Sequence, residues 1–83
     1  MNEPQQGIIK EVVKRREQQD ERWGGADHDD THDELDWQCY IEKQLKQAAN
    51  ADDSFIWRDR MIDIAALAIA AIESADRKDK ANG

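Results

Sequence analysis

Apolar side chains return at intervals of three or four residues along most of this chain, the period of a helix and not of a strand. The last long stretch carries the pattern furthest. From Ile62 to Ile72 the sequence reads Ile-Asp-Ile-Ala-Ala-Leu-Ala-Ile-Ala-Ala-Ile, rich in helix formers and free of Gly and Pro. Between Ile64 and Ile72 it is apolar on every face, and such a helix must be covered around most of its circumference. The run is too short to cross a bilayer, which takes about 20 residues. It is expected to be the central helix of a soluble bundle.

Two amphipathic segments precede it. Ile8, Ile9, Val12 and Val13 make a short stripe after Pro4, a residue tolerated at a helix start. The segment then turns charged, and Gly24-Gly25 supplies a left-handed stop after Trp23. Thr31-His32-Asp33-Glu34 reads as a capping box with Thr31 as N-cap, ahead of a second face built from Trp37, Ile41, Leu45 and Ala48. Asp52, Asp53 or Ser54 is placed to cap the third helix, with Phe55, Ile56 and Trp57 entering the core at its start. The expected elements are helices at about 5–23, 32–49 and 54–78, an acidic loop at 24–33 and a frayed tail at 79–83, all within one domain, 1–83. Short connections favour an all-α, antiparallel three-helix bundle. Two short partners cannot cover the third helix, so a second copy is expected to pack on Ile64, Leu67, Ala68, Ala71 and Ile72, giving a homo-oligomer, in the first instance a dimer.

Composition narrows what this bundle does. The chain has 83 residues and a net charge of −7. A domain of that size buries only about 60–65% of its unfolded surface, which again favours assembly. The acidic balance argues against direct nucleic-acid binding, which needs a basic face, and no membrane partner is expected. Cys39 stands alone, excluding an internal disulfide and fitting a reducing compartment. The segment Met1-Asn2-Glu3-Pro4 has no signal-peptide character, so a cytoplasmic location is expected. Cys39 lacks basic neighbours and reads as a small core residue.

Three groups of residues could carry chemistry. His28, Asp29, Asp30 and His32 place two imidazoles and two carboxylates within one turn, both ordinary ligands of divalent ions. The histidines share a face only if that turn is helical, and with Thr31 as N-cap it is not expected to be. The competing reading is a solvated loop whose aspartates cap the second helix. Glu17 and Glu21, with Asp20, stand on one face of the first helix, as ligands or as a solvated charged surface. Glu42 of the second helix and Asp59 with Asp63 of the third form the third set, and Asp63 interrupts an apolar stretch, so it needs a metal or a cation such as Lys43 or Lys46. Trp23, beside the glycine pair, is the tryptophan best placed to stack on a ligand.

Arg16-Glu17-Gln18-Gln19, Glu21-Arg22-Trp23-Gly24-Gly25, His28-Asp29-Asp30-Thr31-His32, Trp37, Arg58-Asp59-Arg60-Met61 and Ala65 to Ser74 together resemble a group of small phage and prophage proteins, over nearly the whole chain. That group is in turn distantly similar to the all-α nucleoside triphosphate pyrophosphohydrolases of the MazG type. The resemblance implies a helical oligomer in which carboxylates on neighbouring helices hold magnesium against a nucleotide's phosphates. By donor type alone, the carboxylates favour magnesium or manganese and the histidines would suit zinc or nickel, with zinc the lesser expectation. The family pattern is Glu-Glu-x-x-Glu followed by Glu-x-x-Asp. Here the second helix carries Glu34, Asp36 and Glu42, and Arg60-Met61-Ile62-Asp63 keeps only the final acid. What carries over is therefore the bundle with metal and nucleotide binding, more than the hydrolysis.

Two functions of different class remain open on the sequence. In the first, a phage accessory protein binds a divalent ion and a nucleotide, through a metal set drawn from His28, Asp29, Asp30, His32, Glu17, Glu21, Glu42 and Asp63. In the second, a non-catalytic acidic protein of the anti-CRISPR or anti-restriction type blocks a basic host protein, through Trp23, Asp27, Asp29, Asp30 and Asp33. Acids converging in a pocket favour the first, and acids spread over an outer face favour the second.

Overall fold

A computed structural model describes residues 3–82, and among them the regular structure is entirely helical. α1 (Glu3–Trp23) leads into a short α2 (Gly25–Asp29), followed by α3 (Glu34–Ala49) and α4 (Ser54–Asn82). Gly83 of the expected tail lies outside the described residues. α4 runs on through the segment expected to fray, and its 29 residues at about 1.5 Å each match the longest dimension of the molecule, 43 Å. Among the described residues no helix is long and apolar enough to cross a membrane.

Local physics accounts for the boundaries. Gly24 (φ 102°) and Gly25 (φ 69°) both adopt left-handed backbone, so α1 stops and α2 starts at once. A Cβ at Gly24 would also meet the Cβ of His28 at 3.4 Å. The α3 cap corrects the expectation by two residues. Asp33, not Thr31, accepts from the Asp36 amide (2.9 Å), and the Asp36 carboxylate accepts from the Asp33 amide (3.1 Å). An aspartate serves both halves of this box because its carboxylate is a stronger acceptor than a threonine hydroxyl. Thr31 instead donates its hydroxyl to the His28 carbonyl, closing the turn after α2. Asp53 caps α4 by accepting from the Ile56 amide at 2.8 Å.

α4 is the element on which the others rest. Val12 of α1 meets Ile62 and Ala66, and further along α4 Ala70 is buried, as is Ala48 of α3. These alanines allow close helix approach, but they leave little apolar surface in the interior. Phe55, Ile56 and Trp57, expected in the core, are 84 %, 43 % and 50 % exposed, and Leu35, Leu45 and Ile72 are exposed as well. Cys39 is likewise exposed.

Ion pairs fix the lateral arrangement. Arg58 of α4 holds Glu11 of α1 by two 2.8 Å hydrogen bonds, and Arg15 bridges Asp59 (2.7 Å) and Asp63. At the far end, Asp30 accepts from Ser74 (2.8 Å) and Arg77 (2.8 Å), and the Lys78 ammonium donates to the His32 carbonyl. α1 and α3 both pack on α4, yet no Cα of α1 comes within 8 Å of a Cα of α3. The space between them is a cleft floored by α4.

Candidate ligand-binding cleft

The cleft has a volume of about 720 Å³ and takes its walls from all four helices. α1 contributes Arg15, Gln18, Gln19 and Arg22, four residues on one face at helical spacing, together with Arg16 and Trp23. α3 contributes Trp37, Tyr40, Lys43 and Gln44, and the floor is Arg60, Asp63, Leu67 and Ala70 of α4. His28, Asp29 and His32 close one end.

In a chain of net charge −7, five cationic side chains and only two carboxylates line this one concave surface. Not all of that positive charge is available. Arg15 is held by Asp59 and Asp63, and the Asp59 hydrogen bond, with Asp63 second, keeps its guanidinium firmly protonated. Arg16 binds Asp20 (2.8 Å) and Glu73 (3.1 Å). Arg60 reaches Asp63 (3.4 Å) and the side-chain Oε1 of Gln44 (3.3 Å). Arg22 and Lys43 have no carboxylate partner among the described residues, and both are exposed at the cleft.

The aromatic lining is layered. Trp23 is 56 % exposed, with His28 stacked on it at 6.1 Å and 19° and the Arg22 guanidinium 5.9 Å from its ring centre. Trp37 is buried. His32 sits edge-on to Trp37 and Tyr40, both at 5.2 Å, and to His28 at 4.8 Å. The face shared by His28 and His32 corrects the sequence reading. The Gly pair starts α2 early, Thr31 and His32 continue it by bonds to the His28 and Asp29 carbonyls, and the two imidazoles meet with Nε2 atoms 3.3 Å apart.

Asp29 is buried, with Oδ2 lacking a hydrogen-bond partner and 4.0 Å from the Arg16 guanidinium, the outer limit of an ion pair. Burial raises its pKa above the ordinary carboxylate value, and nearby Arg16 only partly offsets this. Gln19 Oε1 is a second buried acceptor without a partner. Asp30 behaves oppositely: hydrogen bonds from Arg77 and then Ser74 hold its pKa below the ordinary value.

The expected carboxylate set does not assemble. Asp63 is occupied by Arg15 and Arg60, not by Lys43 or Lys46. Glu17 and Glu21 are exposed on α1 away from the cleft lining, and Glu42 borders a separate shallow depression with Cys39 and Lys46. Among the described residues, no three His, Cys, Asp or Glu side chains come together to hold a metal ion. These residues do not fit a magnesium centre of the type the resemblance implies. Of the expected partner-binding residues, Trp23, Asp27 and Asp33 are exposed, Asp29 is buried, and the partly exposed Asp30 is taken up by Ser74 and Arg77. Arg15, Arg22, Lys43, Arg60 and Tyr40 were not singled out from the sequence as site residues. The i, i+3, i+4, i+7 spacing of Arg15, Gln18, Gln19 and Arg22 was the signal available for α1. Comparison with family models, with curated proteins and with solved structures finds no match.

Proposed function

We propose that the cleft between α1 and α3 binds a nucleotide, and that the protein acts as a nucleotide-binding accessory module without a carboxylate-held magnesium centre. One observation carries this reading: an acidic chain places two cations that have no carboxylate partner among the described residues, Arg22 and Lys43, in the lining of one cleft together with a half-exposed Trp23. Cations without carboxylate partners suit phosphate oxygens, and the exposed part of an indole suits a base. The buried acceptors Asp29 Oδ2 and Gln19 Oε1 favour a ligand that also carries N–H or O–H donors. In the phage setting that the resemblance implies, such a module would hold or sequester nucleotides.

Trp23 provides the assay. Nucleoside mono-, di- and triphosphates are expected to quench tryptophan fluorescence, with affinity rising with phosphate number and falling with salt. Replacing both Arg22 and Lys43 by alanine removes two charge-assisted contacts and is expected to weaken binding more than about tenfold. Absence of quenching by any nucleotide at millimolar concentration, or equal affinity in the double variant, refutes the reading.

The acidic outer surface supports a second reading. Glu17, Glu21, Asp27 and Asp33 are exposed and none lines the cleft, which is the distribution a contact surface for a basic protein requires. Salt-sensitive capture of a basic partner, lost when these four are neutralised, would establish it. In both readings a second copy covers the exposed apolar side chains, Ile72 at 61 % among them. A monomer by light scattering at micromolar concentration would refute that assembly.

A further inference from the structure

His28 and His32 present their Nε2 atoms to one another at 3.3 Å, with ring planes at 88°. Two neutral imidazoles can share one proton at that distance. The same separation is also the edge of a tetrahedron around a metal ion: with metal–nitrogen bonds of about 2.05 Å, two ligand atoms stand about 3.3 Å apart. The surroundings favour the second use. Each ring is already oriented by its neighbours, His28 by the stacked Trp23 and His32 by the edges of Trp37 and Tyr40. Asp36, fixed by the α3 capping box, lies 3.9 Å from His32 Nδ1, on the side opposite the meeting point. At that separation Asp36 is an electrostatic neighbour of the ring and not a hydrogen-bond acceptor; a carboxylate near the remote nitrogen favours the tautomer that leaves Nε2 free for a metal.

We infer that His28 and His32 form a two-histidine site for a borderline divalent ion such as zinc, nickel or copper. Imidazole ligands select these ions over magnesium and manganese. Two protein ligands leave at least two positions on a tetrahedral ion. Both histidines line the cleft, so water or a ligand oxygen would fill those positions from the cleft side. The inference goes beyond the nucleotide reading and does not depend on it.

The test is a titration of the untagged protein with Ni²⁺, Cu²⁺ and Zn²⁺ in the absence of any nucleotide. One equivalent of Ni²⁺ or Cu²⁺ is expected to quench tryptophan emission, because Trp23 and Trp37 lie 6.1 Å and 5.2 Å from the histidine rings. Mg²⁺ is expected to leave it unchanged. His28→Asn and His32→Asn, each checked for helicity by circular dichroism, are expected to weaken binding at least tenfold. Should the variants lose their fold, ¹⁵N spectra of the wild-type imidazoles decide the matter without them: Zn²⁺ is expected to shift both Nε2 resonances and leave the Nδ1 resonances protonated. Binding that survives both substitutions, unshifted Nε2 signals, or no response to any of the three ions at millimolar concentration overturns the site.

Discussion

Ala66 is fully buried where α1 packs on α4, and it gives a sharp test of the packing that places the cleft. It is 0 % exposed and clusters with Val12 and Ile62. Ala66→Leu adds three carbons at a point with no room for them, and overpacking of that kind costs about 1–3 kcal/mol. Helix propensity does not confound the change, since Leu is nearly as good a helix former as Ala. Ala75, exposed on the same helix, supplies the control through Ala75→Leu. For a domain of this length each kcal/mol moves the melting temperature by about 4–8 °C, so Ala66→Leu is expected to melt roughly 4–24 °C below the control. Circular dichroism at 222 nm measures both. Val12 lies one turn before Arg15 and Arg16, so a displaced α1 also misplaces the wall of the cleft, and nucleotide quenching should weaken in parallel. Equal melting temperatures for the two variants would refute the close packing of α1 on α4 at this point.

Three further outcomes follow from charge and exposure. Asp30 has a folded pKa held below the ordinary 3.8 by Arg77 and Ser74, so the stability it contributes is present above that value and is lost as pH falls through the lowered one. Asp30→Asn should therefore flatten the acid limb of a plot of urea midpoint against pH, and an unchanged limb would show that the clasp does not persist in solution. Asp29 has the opposite sign: its pKa is raised by burial, so its contribution is present below the ordinary carboxylate value and is lost as pH rises through the raised one. Asp29→Asn is expected to melt no lower than wild type at pH 7 and to lose ground at pH 4, whereas a clear loss at pH 7 would mean that attraction to Arg16 outweighs desolvation. Cys39, exposed on α3, should react with one equivalent of a disulfide reagent in native buffer, and silence until denaturant is added would place it in a core or an interface.

The helices were legible because their causes are local. The apolar period, Pro4 near the start of α1, the glycine pair after Trp23 and the aspartates before α3 and α4 act within a few residues of themselves, so a sequence states them. Even the errors there were small: the cap moved from Thr31 to Asp33, and α4 continued past residue 78. The histidine pair lay between the two regimes. Its i, i+4 spacing was plain, but whether the spacing placed both rings on one face depended on an early restart of the helix at Gly25.

The partners of charged residues belonged to the tertiary structure alone. Asp63 could be seen to need a cation, but the choice of Arg15 over Lys43 or Lys46 depended on which helix lies across α4 at that level. Likewise nothing local separates the buried Trp37 from the exposed Trp57, since both sit on apolar helix faces and only the lateral placement of neighbours covers one of them. The cleft is the clearest case. It exists because α1 and α3 each pack on α4 and not on each other, and that spacing turns an acidic chain's scattered arginines into one basic, aromatic surface. Sequence determined the helices and their ends, because hydrogen bonds and propensities act over one or two turns. The site was decided by packing among helices distant in sequence, where burial and pairing depend on what lies opposite.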